Sequence, residues 1–115
     1  MVINFPKIGG LILVVNLLAF SVSAQINGFP RIRKGESYKS VRVKMLKAGW
    51  KPYRSPDADK CRTGDNRCKG RPEMQSCSGT GTAACRFLWK RKAKTVVIFT
   101  VGEFEAVYNG HDFVK

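Results

Sequence analysis

"CSGTGTAACRFLWKRK" spans Cys77 to Lys92. Two cysteines bracket seven small residues, and then aromatic residues alternate with basic ones. This stretch reads as a metal site, a reactive thiol or a staple across a hairpin. Zinc fails on spacing. The cysteines stand at 61, 68, 77 and 85, whereas structural zinc sites use close pairs with two to four residues between ligands. The lone histidine, His111, does not repair that pattern. A redox Cys-x-x-Cys pair is absent, and four cysteines leave no odd thiol. The staple fits. Ser78 to Thr82 is turn-forming and lets Cys77 face Cys85 at bridging distance. Closing such a loop contributes roughly 2–3 kcal/mol in the chain-entropy picture. Four cysteines allow three pairings. Cys61–Cys68 with Cys77–Cys85 is the expected set, because neighbouring partners cost least to close.

Strands flank the staple. "EMQSC" precedes it. "CRFLWK" follows, with Cys85, Phe87 and Trp89 on one face and Arg86, Leu88 and Lys90 on the other. "TVVIFTV", Thr95 to Val101, is β-branched and aromatic and is the strongest strand signal in the chain. Gly102-Glu103 reads as a two-residue turn, "FEAVY" from Phe104 to Tyr108 as the returning strand, and Asn109-Gly110 as its end.

One helix is expected, in "SYKSVRVKMLKAGWKP". Ser37 can cap it, and Glu36 lies at the positive end of its dipole. Tyr38, Val41, Met45 and Ala48 share a stripe, with Leu46 at its flank and Val43 off it. Gly49 suits the left-handed position after the last turn, and Pro52 forbids continuation. The expected fold is α+β: one amphipathic helix packed on a three- to four-stranded antiparallel meander, stapled by disulfides.

The N-terminus reads as an export signal. Lys7 supplies the positive region, Ile8 to Phe20 the apolar core, and Val22-Ser23-Ala24 the small-residue cleavage site. The apolar run is shorter than the ~20 residues a spanning helix needs. The expected organisation is a signal peptide at 1–24, an extended lead-in at 25–36 and a single small domain at 37–115. The protein is therefore expected to be periplasmic or secreted, the setting in which disulfides persist.

Charge is lopsided. The chain holds 21 Lys and Arg against 8 Asp and Glu, a net of +13. Only one basic residue, Lys115, follows Thr95, so the excess belongs to the middle of the chain. Such a bias favours an anionic polymer or an acidic protein as partner and admits contact with a membrane surface. The candidate binding residues are Arg54, Lys60, Arg62, Arg67, Lys69, Arg71, Arg86, Lys90, Arg91 and Lys92. By alternation Phe87 and Trp89 point to the core, so a base-stacking platform is not expected on that strand. Asp57, Asp59 and Asp65 fail the register of a calcium loop, into which Lys60, Cys61, Arg62 and Arg67 intrude.

No catalytic constellation is legible. The rival enzymatic reading is a secreted ribonuclease using Glu103 or Glu105, His111 and Arg86 as acid, base and phosphate holder. Nothing in their spacing demands it. No cofactor or metal is expected. The expected function is a non-enzymatic binding module. The alternative is a cationic toxin or antimicrobial, or a ribonuclease, acting on membranes or RNA.

The order "KGESYKSVRVKMLKAGWKP", a cysteine loop, then strands ending "VIFTVGEFEAVY" resembles small exported bacterial domains of the beta-lactamase-inhibitor-protein-like type. These include small lipoproteins of the outer-membrane assembly machinery. The resemblance covers about Arg33 to Asn109. It implies a helix before an antiparallel sheet and a role in binding other proteins. This chain departs from that pattern in its four cysteines, its missing lipid-attachment cysteine and its positive charge.

Overall fold

The computed structural model describes residues 28–115. The expected signal peptide, its cleavage after Ala24 and the first residues of the lead-in lie outside the described residues. The chain divides into two compact units, one ending at Arg31 and one running from Ile32 to Lys115. The second unit holds the predicted helix and the sheet.

That helix, α1 (Tyr38–Lys47), is set at both ends by local chemistry. Ser37 Oγ accepts from the Ser40 amide at 3.2 Å. Glu36 reinforces the cap, accepting from Ser40 Oγ at 2.7 Å and from the Arg33 amide at 3.1 Å. At the other end Gly49 takes φ +89°. The Trp50 amide reaches the Met45 carbonyl and the Gly49 amide reaches the Leu46 carbonyl. This is the double hydrogen bond of a Schellman motif, which needs a left-handed residue at Gly49. Tyr38, Val41 and Met45 are buried, while Val43 and Leu46 stay about half exposed, at 50% and 49%. The buried surface of the helix is thus a narrow stripe.

The sheet has five antiparallel strands: β1 (Lys51–Pro52), β2 (Met74–Cys77), β3 (Cys85–Arg91), β4 (Lys94–Val101) and β5 (Val107–Val114). β2 to β5 form the expected meander. β1 was not expected. It pairs Lys51 with Lys90 and Pro52 with Trp89, on the same edge of β3 that β2 joins further along. The edge row is therefore shared by two short segments. A two-residue strand has no periodicity to read, and Pro52 is tolerated there because an edge strand needs donors on one side only.

Two further boundaries move. Phe104 and Glu105 lie in a loop, not a strand, and Phe104 is 84% exposed. The last strand begins at Val107 and runs through Asn109-Gly110. The register slips there: Tyr108 pairs with Thr100 and Gly110 with Phe99, leaving Asn109 as the extra residue of a bulge. Gly102 takes φ +113°, and a Cβ on it would lie 2.3 Å from the Glu105 carbonyl oxygen, so the chain doubles back against itself in a way only glycine permits.

The core lies between α1 and the inner face of the sheet. Register puts Phe87, Ile98 and His111 in one row, and Trp89, Val96 and Phe113 in the next. Tyr38 stacks on Phe87 with ring centroids 3.9 Å apart. Its hydroxyl accepts from Trp89 Nε1 at 3.0 Å and donates to Glu73 Oε2 at 2.8 Å. Glu73 is fully buried, and Arg42 from α1 pairs with it through Nε at 2.6 Å and Nη2 at 3.1 Å. One carboxylate thereby joins the helix, the approach to β2 and the aromatic core. Burial first, and then the Glu73 charge, push the Tyr38 hydroxyl well above its ordinary range, which keeps it a donor.

Both disulfides form as expected, Cys61–Cys68 and Cys77–Cys85. Cys77 and Cys85 are directly opposed across the β2–β3 hairpin.

Candidate functional site

The candidate cations come from two places. Arg54, Lys60, Arg62, Arg67, Lys69 and Arg71 lie on the long loop between β1 and β2. Arg86, Lys90 and Arg91 lie on β3, and Lys92 stands in the two-residue turn to β4, at φ +55°. Lys60, Arg62, Lys69 and Lys92 are exposed.

Arg67 is not a surface cation. It is only 8% exposed. Its guanidinium forks onto Asp65, with Nε to Oδ1 at 2.9 Å and Nη2 to Oδ2 at 2.6 Å. Nη1 donates to the Ser78 carbonyl at 2.7 Å and to the Ala83 carbonyl at 3.3 Å. Arg67 therefore closes the Cys77–Cys85 loop from outside, and it leaves the candidate surface for that reason. The planar guanidinium suits this fork, which a lysine cannot reproduce. The same hydrogen bonds hold the Asp65 carboxyl below its ordinary range. Arg71 is half committed as well: Nη1 donates to the Arg67 carbonyl at 2.8 Å, and the guanidinium lies 4.9 Å from the Tyr38 ring centroid. Arg54 donates to the Asp59 carbonyl at 3.2 Å.

On β3, Arg86 and Lys90 are exposed on the outer face of the sheet, away from α1. Each lies over an aromatic ring outside the candidate set. Arg86 sits 5.2 Å from the Phe99 centroid and Lys90 sits 3.8 Å from that of Tyr53. Phe99 was findable, since alternation in "TVVIFTV" sets it opposite Ile98. Tyr53 was not, because nothing local announces the β1 pairing that brings it over β3. Gln75 orients Arg86 by accepting from its Nε at 3.0 Å. An aromatic face beneath a cation stabilises it by about 0.5–1 kcal/mol at exposed sites and restricts its motion.

Among the described residues three ion pairs form: Arg42–Glu73, Lys44–Glu36 and Arg67–Asp65. Each ties one cation to a carboxylate that is buried or nearly so. Asp57, Asp59, Glu103, Glu105 and Asp112 also stay exposed, and the exposed Lys and Arg residues outnumber them.

The structure separates two members of the ribonuclease constellation, Arg86 and His111. His111 lies in the inner-face row of Ile98, whereas Arg86 lies opposite Phe99 on the outer face. Glu103 and Glu105 are exposed in the β4–β5 loop. His111 contacts Tyr108 Oη through Nδ1 at 2.5 Å, and burial lowers its pKa below the ordinary histidine value.

A polar cavity of about 290 Å³ opens in the basic loop, lined by Lys60, Arg62, Asp65, Cys68, Met74 and Cys77 among others. An Asp65 carboxylate oxygen and the Sγ atoms of Cys68 and Cys77 lie within 4.8 Å of one another there. Both sulfurs are bridged, so neither is the thiolate a metal would require.

No family model matches this chain, and no curated protein or solved structure matches it either.

Proposed function

We propose that this protein is an exported, non-enzymatic binding module whose basic surface takes an anionic envelope polymer or an acidic protein. One observation carries the reading. Among the described residues three cations pair with carboxylates, Arg42, Lys44 and Arg67, and many of the other Lys and Arg side chains are exposed, in a chain of net charge +13. The proposed contact residues are Arg54, Lys60, Arg62, Lys69, Arg86, Lys90, Arg91 and Lys92, with Arg71 at the margin. Arg86 and Lys90, held over Phe99 and Tyr53, lose little freedom on meeting a polyanion, which favours binding. Two disulfides are consistent with export. The resemblance to beta-lactamase-inhibitor-protein-like domains points toward binding as well.

A second reading has its own observation. Lys39, Val43, Leu46 and Lys47 share one exposed stripe of α1, the composition of a surface that meets anionic lipid. It belongs to the membrane-active alternative.

The test is a titration of purified protein with lipopolysaccharide, RNA and an acidic envelope-protein fraction, at low salt and at about 0.15 M, where screening acts within about 8 Å. Binding to one ligand that survives salt, and that weakens on charge reversal at Arg86 and Lys90, supports the module. Loss of all binding with salt would leave the charge generic and sink the reading. Leakage of anionic vesicles would favour the membrane-active alternative.

A further inference from the structure

The two disulfides are neighbours. Cys68 and Cys77 belong to different bridges, yet their sulfurs lie within 4.8 Å of each other and line the same cavity. Their partners differ in access. Cys61 is exposed on the loop, whereas Cys85 is 1% exposed, between Cys77 and Thr100 in the sheet. Exchange rates depend on access and on the sulfur that is attacked. An incoming thiolate therefore meets Cys61 first and expels Cys68.

Cys68 does not then drift away. Its neighbour Arg67 is anchored to the carbonyls of Ser78 and Ala83, on the two limbs of the second bridge's own loop. That tether is made of hydrogen bonds, and breaking the Cys61–Cys68 bond does not by itself sever it. Lys60 and Arg62 border the cavity and favour the thiolate form of a released cysteine, while the Asp65 carboxylate, within 4.8 Å of the Cys68 sulfur and forked onto Arg67, opposes it.

We infer that the paired bridges are a thiol–disulfide exchange site whose substrate is a small dithiol. One thiolate of the dithiol attacks Cys61 Sγ, forming a mixed disulfide and releasing Cys68 as a thiolate. The second thiol of the reagent then displaces Cys61, which leaves as a thiol, and the reagent departs as its cyclic disulfide. The Cys68 thiolate attacks Cys77 Sγ, forming Cys68–Cys77 and breaking Cys77–Cys85. Cys85 leaves as a thiolate and takes a proton, becoming a buried thiol, a state cysteine tolerates well. In total one dithiol is oxidised, and two protein bridges become one bridge and two thiols. Cys61 is then untethered, and Lys60 and Arg62 beside it are freed from the loop geometry that the first bridge imposed.

The experiment uses the oxidised, purified protein and one equivalent of dithiothreitol. The reaction is acid-quenched, thiols are blocked with N-ethylmaleimide at low pH, and unreduced peptides are mapped by tandem mass spectrometry. The expected result is label on Cys61 and Cys85 with Cys68 joined to Cys77 in most singly reduced molecules. Cys61→Ser supplies a second measurement with no reductant: its one free thiol is expected at Cys85, not Cys68. Label on Cys61 and Cys68 with Cys77–Cys85 intact would overturn the inference. So would all-or-none reduction of both bridges, or resistance of both to the reagent. Binding to polyanions is not needed for any of these outcomes.

Discussion

The hydroxyl of Tyr38 and the carboxylate of Glu73, separated by 35 positions in the chain, meet at 2.8 Å with Glu73 fully out of solvent. A buried charge is tolerated when it is paired and hydrogen-bonded, and Glu73 has both Arg42 and Tyr38. Tyr38→Phe removes the Glu73 donor and the acceptor of Trp89 Nε1 together. It is expected to cost about 1–3 kcal/mol, the range for leaving buried partners unsatisfied. Glu73→Ala leaves Arg42 a route to solvent, and the expected loss is about 3 kcal/mol, the low end for a broken buried pair. Urea unfolding checks both: the midpoint falls and the slope stays constant.

Arg67 and Lys69 stand two positions apart and do different jobs. Arg67→Ala strands Asp65 and opens the loop over the second disulfide, with an expected cost of about 3 kcal/mol. Lys69→Ala is expected to stay within about 0.5 kcal/mol, as exposed substitutions do. Equal unfolding midpoints for the two variants would contradict the assignment of Arg67 as a structural residue.

Thr100 is fully buried, and its hydroxyl has no hydrogen-bond partner among the described residues. Valine keeps the shape and removes the stranded group. Thr100→Val is expected to stabilise the fold by about 1 kcal/mol, at the low end of the cost of an unpaired buried polar group. A raised thermal midpoint checks this.

Acid should unfold the protein in stages. Burial lowers the folded His111 pKa below 6.5, so its contribution is present above 6.5 and is lost as pH falls through the lowered value. Lys44 first, and then Ser40, hold Glu36 down to about 2 from 4.5. Its contribution is present above 4.5 and fades as pH drops toward 2. Asp65, lowered from 3.8 by Arg67, acts in the same direction. Unfolding midpoints measured from pH 7 to 2 should fall throughout. Glu36→Gln should flatten the lower limb, and an unchanged slope below pH 4.5 would refute that assignment.

Most of what the sequence showed of the fold was local. The Ser37 cap, the Gly49 stop and the facing cysteines each depend on residues a few positions apart, and β4 is announced by its own composition. The β5 boundary was harder, because "FEAVY" has strand-like residues in a segment that the Gly102 turn holds in a loop. Exposed Phe104 has no local mark that distinguishes it from a buried phenylalanine. Of the candidate surface, the charge and its location were legible, and the loss of Arg67 from it was not. Two arginines five positions apart, Arg62 and Arg67, look alike until one of them finds Ser78 and Ala83.

From the sequence alone came the class of fold, the pairing of the cysteines and the excess of positive charge. These rest on propensity, short loop closure and net charge, all of which act over short stretches or over the whole composition. Tertiary structure alone decided that Glu73 is the buried carboxylate, that Lys51–Pro52 shares an edge with β2, that Tyr53 and Phe99 underlie Lys90 and Arg86, and that the two bridges bring the Cys68 and Cys77 sulfurs within 4.8 Å. Each of these joins residues distant in the chain, and the free energy that places them comes from packing and desolvation, which no local pattern records.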